Sequence, residues 1–303
     1  MTIEIISASL DGLKGIAKFR AMFAMQPDDA DIDIETRRAR LVAFAAAAPP
    51  PSKVKITEHT IDGVRALCID PPGHKGQAIY LHGGAYVLGS PDTHLRFAAS
   101  YALASGARIW SVDYRLAPEH PYPAAINDAL TVWRGITDET PTVIIGDSAG
   151  GGLALALAIR IRDDGLPPPV ALILISPWAD LTLTSESMTT KATAEIMLSR
   201  RGLTLDANRY RGEIDAGDAR ISPLRSNMIA LPPTFIQVGS EEILLDDSKI
   251  LAARMEAAGV VIHLQLWQGM AHVWPAFGDA VPEAAASIAA VGEFCRKQLV
   301  GEY

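Results

Sequence analysis

The spacing of apolar and polar positions changes character at the triplet Pro49-Pro50-Pro51. Before it, residues 6–25 and 35–48 carry apolar side chains at helical intervals. The second stretch is rich in helix formers such as Arg37, Arg38, Leu41 and Ala45. After it, short apolar runs separated by turn residues take over, so the prolines read as a hinge between an N-terminal helical piece and a main domain. Eight of these runs are predicted strands: 54–60, 64–69, 78–82, 108–114, 142–146, 170–176, 234–239 and 260–267. Predicted helices at 96–105, 124–135, 153–163, 246–258 and 283–299 fall between and after the later ones. This alternation predicts an α/β fold with a mostly parallel sheet covered on both faces. The first two strands are close enough to pair antiparallel through Asp62-Gly63.

One stretch breaks the alternation. Residues 180–230 are polar and irregular, with helical patches around 191–200 and 205–214. An insertion after a sheet strand lies near where α/β proteins bind ligands. With residues 1–48 it is read as a small helical cap over a main domain formed by 49–179 and 231–303; the alternative is a surface excursion without a role.

Composition narrows the function classes. A chain of 303 residues with 49% hydrophobic and 20% charged residues is an ordinary globular protein rather than a disordered one. Lys plus Arg number 27 against 35 Asp plus Glu, a net charge of -8, which leaves no basic field for nucleic acid or anionic lipid. Cys68 and Cys295 make neither a disulfide framework nor a metal spacing and are read as buried thiols. The start has no basic segment leading into an apolar core and cleavage site, and the apolar run at 41–51 is too short to span a bilayer. The expectation is a soluble, cytoplasmic protein with no membrane partner.

The candidate chemistry lies at strand ends. Gly146-Asp147-Ser148-Ala149-Gly150 joins the buried run 142–145 to an apolar helix, the strand–turn–helix context that makes a G-x-S-x-G pattern meaningful. Ser148 is the candidate nucleophile. His82-Gly83-Gly84-Ala85-Tyr86 follows another strand, and a glycine pair there lets backbone N–H groups face a developing oxyanion. Gly83, Gly84 and Ala149 are the expected donors, and His82 is read as scaffold. Of the two histidines after Ser148, His263 alternates within a strand, whereas His272 sits in a loop after the last strand and is the expected base. For the acid, Glu242 is placed first because it lies nearest the strand end. Asp246, which also suits a helix N-terminus, follows, and Glu241 is third. Tyr86, Trp178 and Trp274, with Trp267 and Phe277, are expected to line an apolar substrate pocket, with core packing as the alternative. No metal or organic cofactor is expected.

With these motifs in place, the chain resembles the bacterial hormone-sensitive lipase-like carboxylesterases of the α/β-hydrolase superfamily over about residues 50–300. The resemblance rests on the His82–Tyr86 and Gly146–Gly151 motifs, on Asp113-Tyr114-Arg115-Leu116-Ala117-Pro118-Glu119-His120-Pro121, and on Gly269-Met270-Ala271-His272. It implies an α/β-hydrolase fold with an eight-stranded, mostly parallel sheet and a helical cap. It also implies a serine esterase acting on small to medium acyl esters, and it is compatible with a homodimer. A lactonase or amidase using the same triad is the alternative within hydrolases; outside them it is a non-catalytic small-ligand receptor, which would be expected to lack a triad member.

Two departures stand out. The family's acid motif begins Asp-Pro-Leu, where this chain has Glu242-Ile243-Leu244, and its third oxyanion-loop glycine is Ala85 here. Ala85 is expected to keep an ordinary backbone and to narrow the site against bulky alcohol groups. The Asp113–Pro121 segment is expected to brace the nucleophile turn through buried ion pairs, with a direct role for Glu119 as the lesser reading.

Overall fold

The computed structural model describes residues 1–47, 49–137 and 140–301. Ala48, the last residue of the second predicted helix, and residues 138–139 and 302–303 of the main domain lie outside them. A sheet of nine strands runs through the molecule: β1 (Thr2–Ser7), β2 (Lys55–Ile61), β3 (Val64–Asp70), β4 (Gln77–Leu81), β5 (Arg108–Val112), β6 (Thr142–Asp147), β7 (Ala171–Ile175), β8 (Thr234–Gly239) and β9 (Ile262–Gln268). Their order is β1-β9-β8-β7-β6-β4-β5-β3-β2. Among the described residues only the β2/β3 and β3/β5 pairs are antiparallel, the first through Asp62 and Gly63, whose φ angles of 45° and 88° make the turn.

The helices are α1 (Leu10–Phe23), α2 (Ile34–Ala46), α3 (Leu95–Ser105), α4 (Ala124–Ile136), α5 (Ala149–Asp163), α6 (Ser187–Thr190), α7 (Arg200–Arg211), α8 (Leu245–Ala257) and α9 (Glu283–Val300). Every residue of β4, β6, β7 and β8 is buried, as a sheet covered on both faces requires. Their side chains divide with the two-residue period of a strand. Ile79, Leu81, Ile144, Leu172 and Leu174 join one core with Leu153 and Leu157 of α5, while Ala78, Tyr80, Val143, Ile145 and Ile173 join the other with Phe97 of α3 and Val291 of α9. Cys68 and Cys295 are buried free thiols.

The ninth strand corrects the expected count of eight. Residues 2–7 pair in parallel with β9, from Thr2 opposite His263 to Ser7 opposite Gln268, and so belong to the sheet edge rather than to a helical cap piece. Ser9 then caps α1 by accepting the Gly12 N–H, which places the helix start after Ile6, the predicted first residue. The insertion differs as well. Its helices are α6 and α7, and residues 191–199 between them form a turn. There the Glu195 carboxylate accepts the N–H groups of Ile196, Met197 and Leu198, which a helix would have sent to carbonyls.

The insertion is tied to the N-terminal helices. Arg37 on α2 forms a bidentate pair with buried Asp206 on α7, Ser199 donates to Asp28, and Arg201 pairs with Asp31. Among the described residues no helix is long and apolar enough to cross a membrane.

Candidate active site

Five strands deliver polar residues to the same edge of the sheet, because the parallel strands all end there. β4 ends before His82, β6 before Ser148, β7 before Ser176, β8 before Glu242 and β9 before His272. At the end of β6 the chain reverses sharply into α5, and Ser148 takes φ 53° and ψ −122°. Such a backbone costs a non-glycine residue about 1–3 kcal/mol and marks a functional constraint. The flanking glycines allow the turn to close. A Cβ on Gly146 would lie 2.2 Å from the Gly150 carbonyl oxygen, and one on Gly150 would lie 2.0 Å from that of Leu81. Ser148 is left half-buried at the apex.

The loop after β9 carries His272 over this turn. Its Nε2 lies 2.9 Å from Ser148 Oγ and its Nδ1 lies 2.7 Å from Glu242 Oε2. Glu242 is fully buried, and its other oxygen accepts the Ser176 hydroxyl at 2.8 Å and the Gly239 N–H at 2.7 Å. Burial alone would push the imidazole down, but the adjacent Glu242 carboxylate overrides it and His272 is raised above its ordinary value.

The other acid candidates point elsewhere. Asp246 accepts the Ser187 N–H and pairs with Lys249, and Glu241 faces Lys191. Asp247 is pushed up to about 7 by burial and accepts the N–H groups of Ala179 and Asp180. His263 reaches Glu4 on the neighbouring edge strand.

The oxyanion loop revises one expected donor. The Gly83 N–H is already spent on Asp147 Oδ1 at 3.1 Å, an oxygen that also accepts the Tyr80 hydroxyl at 2.5 Å. Gly83 therefore docks this loop on the serine turn. Among the described residues the N–H groups of Gly84, Ala85 and Ala149 have no protein acceptor. Gly84 and Ala85 take φ angles of 118° and 53°. Ala85 thus adopts a left-handed backbone instead of the expected ordinary one, and its methyl does not simply narrow the alcohol side. Replacing Ala85 by Gly is expected to raise folding stability by about 1 kcal/mol, read by urea unfolding; unchanged or lower stability contradicts the strain.

His82 is scaffold. Burial pushes its imidazole down to about 3, Nδ1 lies 2.8 Å from the Gly83 carbonyl, and the ring stacks on Tyr114 with centroids 4.2 Å apart. The Tyr114 hydroxyl donates to the His82 carbonyl at 2.6 Å. This is how the Asp113–Pro121 segment braces the site, through a buried tyrosine and the oxyanion loop rather than through buried ion pairs. Its charged residues make part-exposed pairs instead: Asp113 with Arg65, Arg115 with Asp128, and Glu119 with Arg38 of α2.

The expected pocket aromatics are core residues. Tyr86 is 2% exposed and stacks on Tyr210 with centroids 3.8 Å apart, while Trp178 and Trp274 are fully buried, the latter against Trp267. A large cavity lies elsewhere, an apolar groove of about 1110 Å³. It is walled by Phe19 and Phe44 from α1 and α2, Phe97 from α3, and Phe277, and it reaches Asp147 and Val273, the chain neighbours of Ser148 and His272. Of the expected aromatics, Phe277 lines it. Phe19 and Phe44 had a signal in the helical spacing of the N-terminal segment, but nothing local tells which face turns to the groove.

Comparison with known proteins gives the family. Residues 78–276 match the model of a family described as having the alpha/beta hydrolase fold. An acetyl-hydrolase of Streptomyces hygroscopicus is 38% identical over 260 residues, covering 84% of this chain and 85% of that protein. An esterase of Acinetobacter venetianus is 39% identical over 252 residues, covering 81% and 83%. Among solved structures, an esterase/lipase from an uncultured bacterium superposes with a TM-score of 0.90 at 39% identity, over 97% of this chain and 100% of its own. An esterase of the bacterial hormone-sensitive lipase family superposes with a TM-score of 0.91 at 36% identity, over 96% and 99%. This chain belongs to the α/β-hydrolase fold family, among the bacterial hormone-sensitive lipase-like esterases.

Proposed function

We propose that this chain is a serine carboxylesterase in which Ser148 is the nucleophile, His272 the general base and Glu242 the acid that orients it. The observation that carries this reading is the unbroken hydrogen-bonded line from Ser148 Oγ through both nitrogens of His272 to a fully buried carboxylate. His272 takes the serine proton as Oγ attacks the ester carbonyl, and the N–H groups of Gly84, Ala85 and Ala149 receive the oxyanion. Collapse of the tetrahedral intermediate returns the proton from His272 to the leaving alcohol. Water activated by the same imidazole then resolves the acyl-enzyme. The sequence draws on no metal or organic cofactor.

Residues 1–48 and 180–230 serve as a cap, apart from the edge strand β1. The groove between α1, α2, α3 and α9 accommodates an apolar group of small to medium size. Steady-state turnover of p-nitrophenyl esters of rising acyl length, beside matched lactones and anilides, tests the substrate class. Esters are expected to have kcat/KM at least about tenfold above the lactone and anilide of equal carbon count; a lactone or anilide preference overturns the ester assignment.

A further inference from the structure

The insertion touches the loop that carries Glu242. Glu195 lies in its central turn and is 8% exposed. One carboxylate oxygen accepts the N–H groups of Ile196, Met197 and Leu198 at 2.8, 2.9 and 3.3 Å, and the other accepts the N–H of Ile243 at 3.2 Å. Ile243 directly follows Glu242. Its carbonyl accepts the hydroxyl of Ser187, a second insertion residue, at 2.7 Å. Both polar backbone groups of the residue next to the acid are therefore taken by side chains of the insertion. The turn bearing Glu195 is gripped in its own right by Arg20 of α1, which donates to the carbonyls of Thr193 and Ala194 at 3.1 and 2.6 Å.

We propose that Glu195 is a positioning residue for the triad, holding the Glu242 loop in register from the cap and presenting a second buried carboxylate to the imidazolium. Among the described residues Glu195 has no cationic partner; burial raises its carboxyl above the ordinary value, and four backbone N–H groups work against that shift. The ionisable groups that act on it electrostatically are His272 and Glu242, those that act on His272 are Glu242, Glu195 and Asp147, and Lys191 pairs with Glu241. A carboxylate near the imidazole favours its protonated form, which arises in each transition state and disappears when the proton moves on. The cap thereby contributes to the chemical step as well as to substrate enclosure. A cap displaced from α8 and β8 would leave the acid loop without two of its anchors.

The inference rests on Glu242 being the triad acid, so Glu242→Gln is measured in the same series. Glu195→Gln keeps an acceptor for the turn but removes the charge and sets an amide donor against the Ile243 N–H. Its kcat on a short p-nitrophenyl ester is expected to fall roughly ten- to a hundredfold with KM within about twofold. The acid limb of its kcat/KM profile is expected to move down by about 0.5 pH unit or more, because a negative charge that raised His272 is gone. Ser187→Ala removes the neutral anchor and is expected to lower kcat severalfold without moving that limb.

Arg201→Ala, which breaks the exposed pair with Asp31 elsewhere in the cap, is expected to leave both kcat and the limb at wild-type values. A Glu195→Gln enzyme with wild-type kcat and an unmoved limb overturns the proposal while leaving the triad intact. Wild-type activity in Glu242→Gln instead overturns the triad reading beneath it. If Glu195→Gln does not fold, Ser187→Ala decides: an unchanged kcat removes the cap from any part in holding the acid.

Discussion

Ser148→Ala and His272→Ala are each expected to lower kcat on a short p-nitrophenyl ester by roughly 10⁵- to 10⁶-fold, and the double variant is expected to be no worse than either alone. The two side chains act as one unit, since a serine without its base is a weak nucleophile and a base without its serine has no proton to take. Their 2.9 Å contact is the geometry from which that non-additivity follows. KM is expected to change little, because the groove proposed for the apolar group is walled by residues of α1, α2, α3 and α9 that neither substitution touches. Steady-state and single-turnover kinetics of all three variants check this. Either single variant retaining more than about a tenth of wild-type kcat contradicts the assignment.

Glu242→Gln is expected to lower kcat by about 10⁴-fold, the loss seen when a triad acid can no longer fix the histidine tautomer. The local geometry explains why the amide cannot substitute. Glu242 accepts hydrogen bonds at both oxygens, from His272 on one side and from Ser176 and the Gly239 N–H on the other. A glutamine must turn its NH₂ toward one of these sides and meet donors there. If it faces Nδ1, the ring takes the wrong tautomer; if it faces Gly239, a buried N–H loses its acceptor.

The charge matters as well. Glu242 is what holds His272 above its ordinary value against the effect of burial, so its loss moves the acid limb of kcat/KM to lower pH. The sign is distinctive: residual activity survives further into acid in the variant than in the wild type. Asp246→Asn and Glu241→Gln are expected to stay within a fewfold of wild type, because their carboxylates face Ser187 with Lys249 and Lys191 respectively. A large loss in Asp246→Asn with a mild one in Glu242→Gln contradicts this choice of acid.

Much of the fold and of the candidate triad was legible because buried parallel strands write themselves as short continuous apolar runs. Runs 142–146 and 234–239 recur as β6 and β8, and the residues just beyond them are those the sheet brings together. Glu242 stood nearer its strand end than Asp246, and those four positions matter: α8 begins at Leu245, so Asp246 already turns with the helix. What escaped the sequence depends on contacts between distant segments. The side chains of Ile3 and Ile5 on β1 are 54% and 60% exposed, so the strand is held largely by its backbone pairing to β9 and carries no burial pattern.

Residues 191–199 have helical composition, but one side chain, Glu195, captures the N–H groups that a helix needs. Tyr86, Trp178 and Trp274 have the chemistry of a pocket and the burial of a core, and residue type does not separate the two. Gly83 was one residue away from the donors left free, a distinction that only the Asp147 carboxylate makes visible.

Ser148 as nucleophile is tested by intact-mass and peptide analysis after treatment with phenylmethylsulfonyl fluoride, which transfers a sulfonyl group to an activated serine. A single adduct is expected, mapped to the peptide containing Ser148, with parallel loss of esterase activity and no adduct in Ser148→Ala. An adduct on another residue, or full inhibition with Ser148 unmodified, would contradict it.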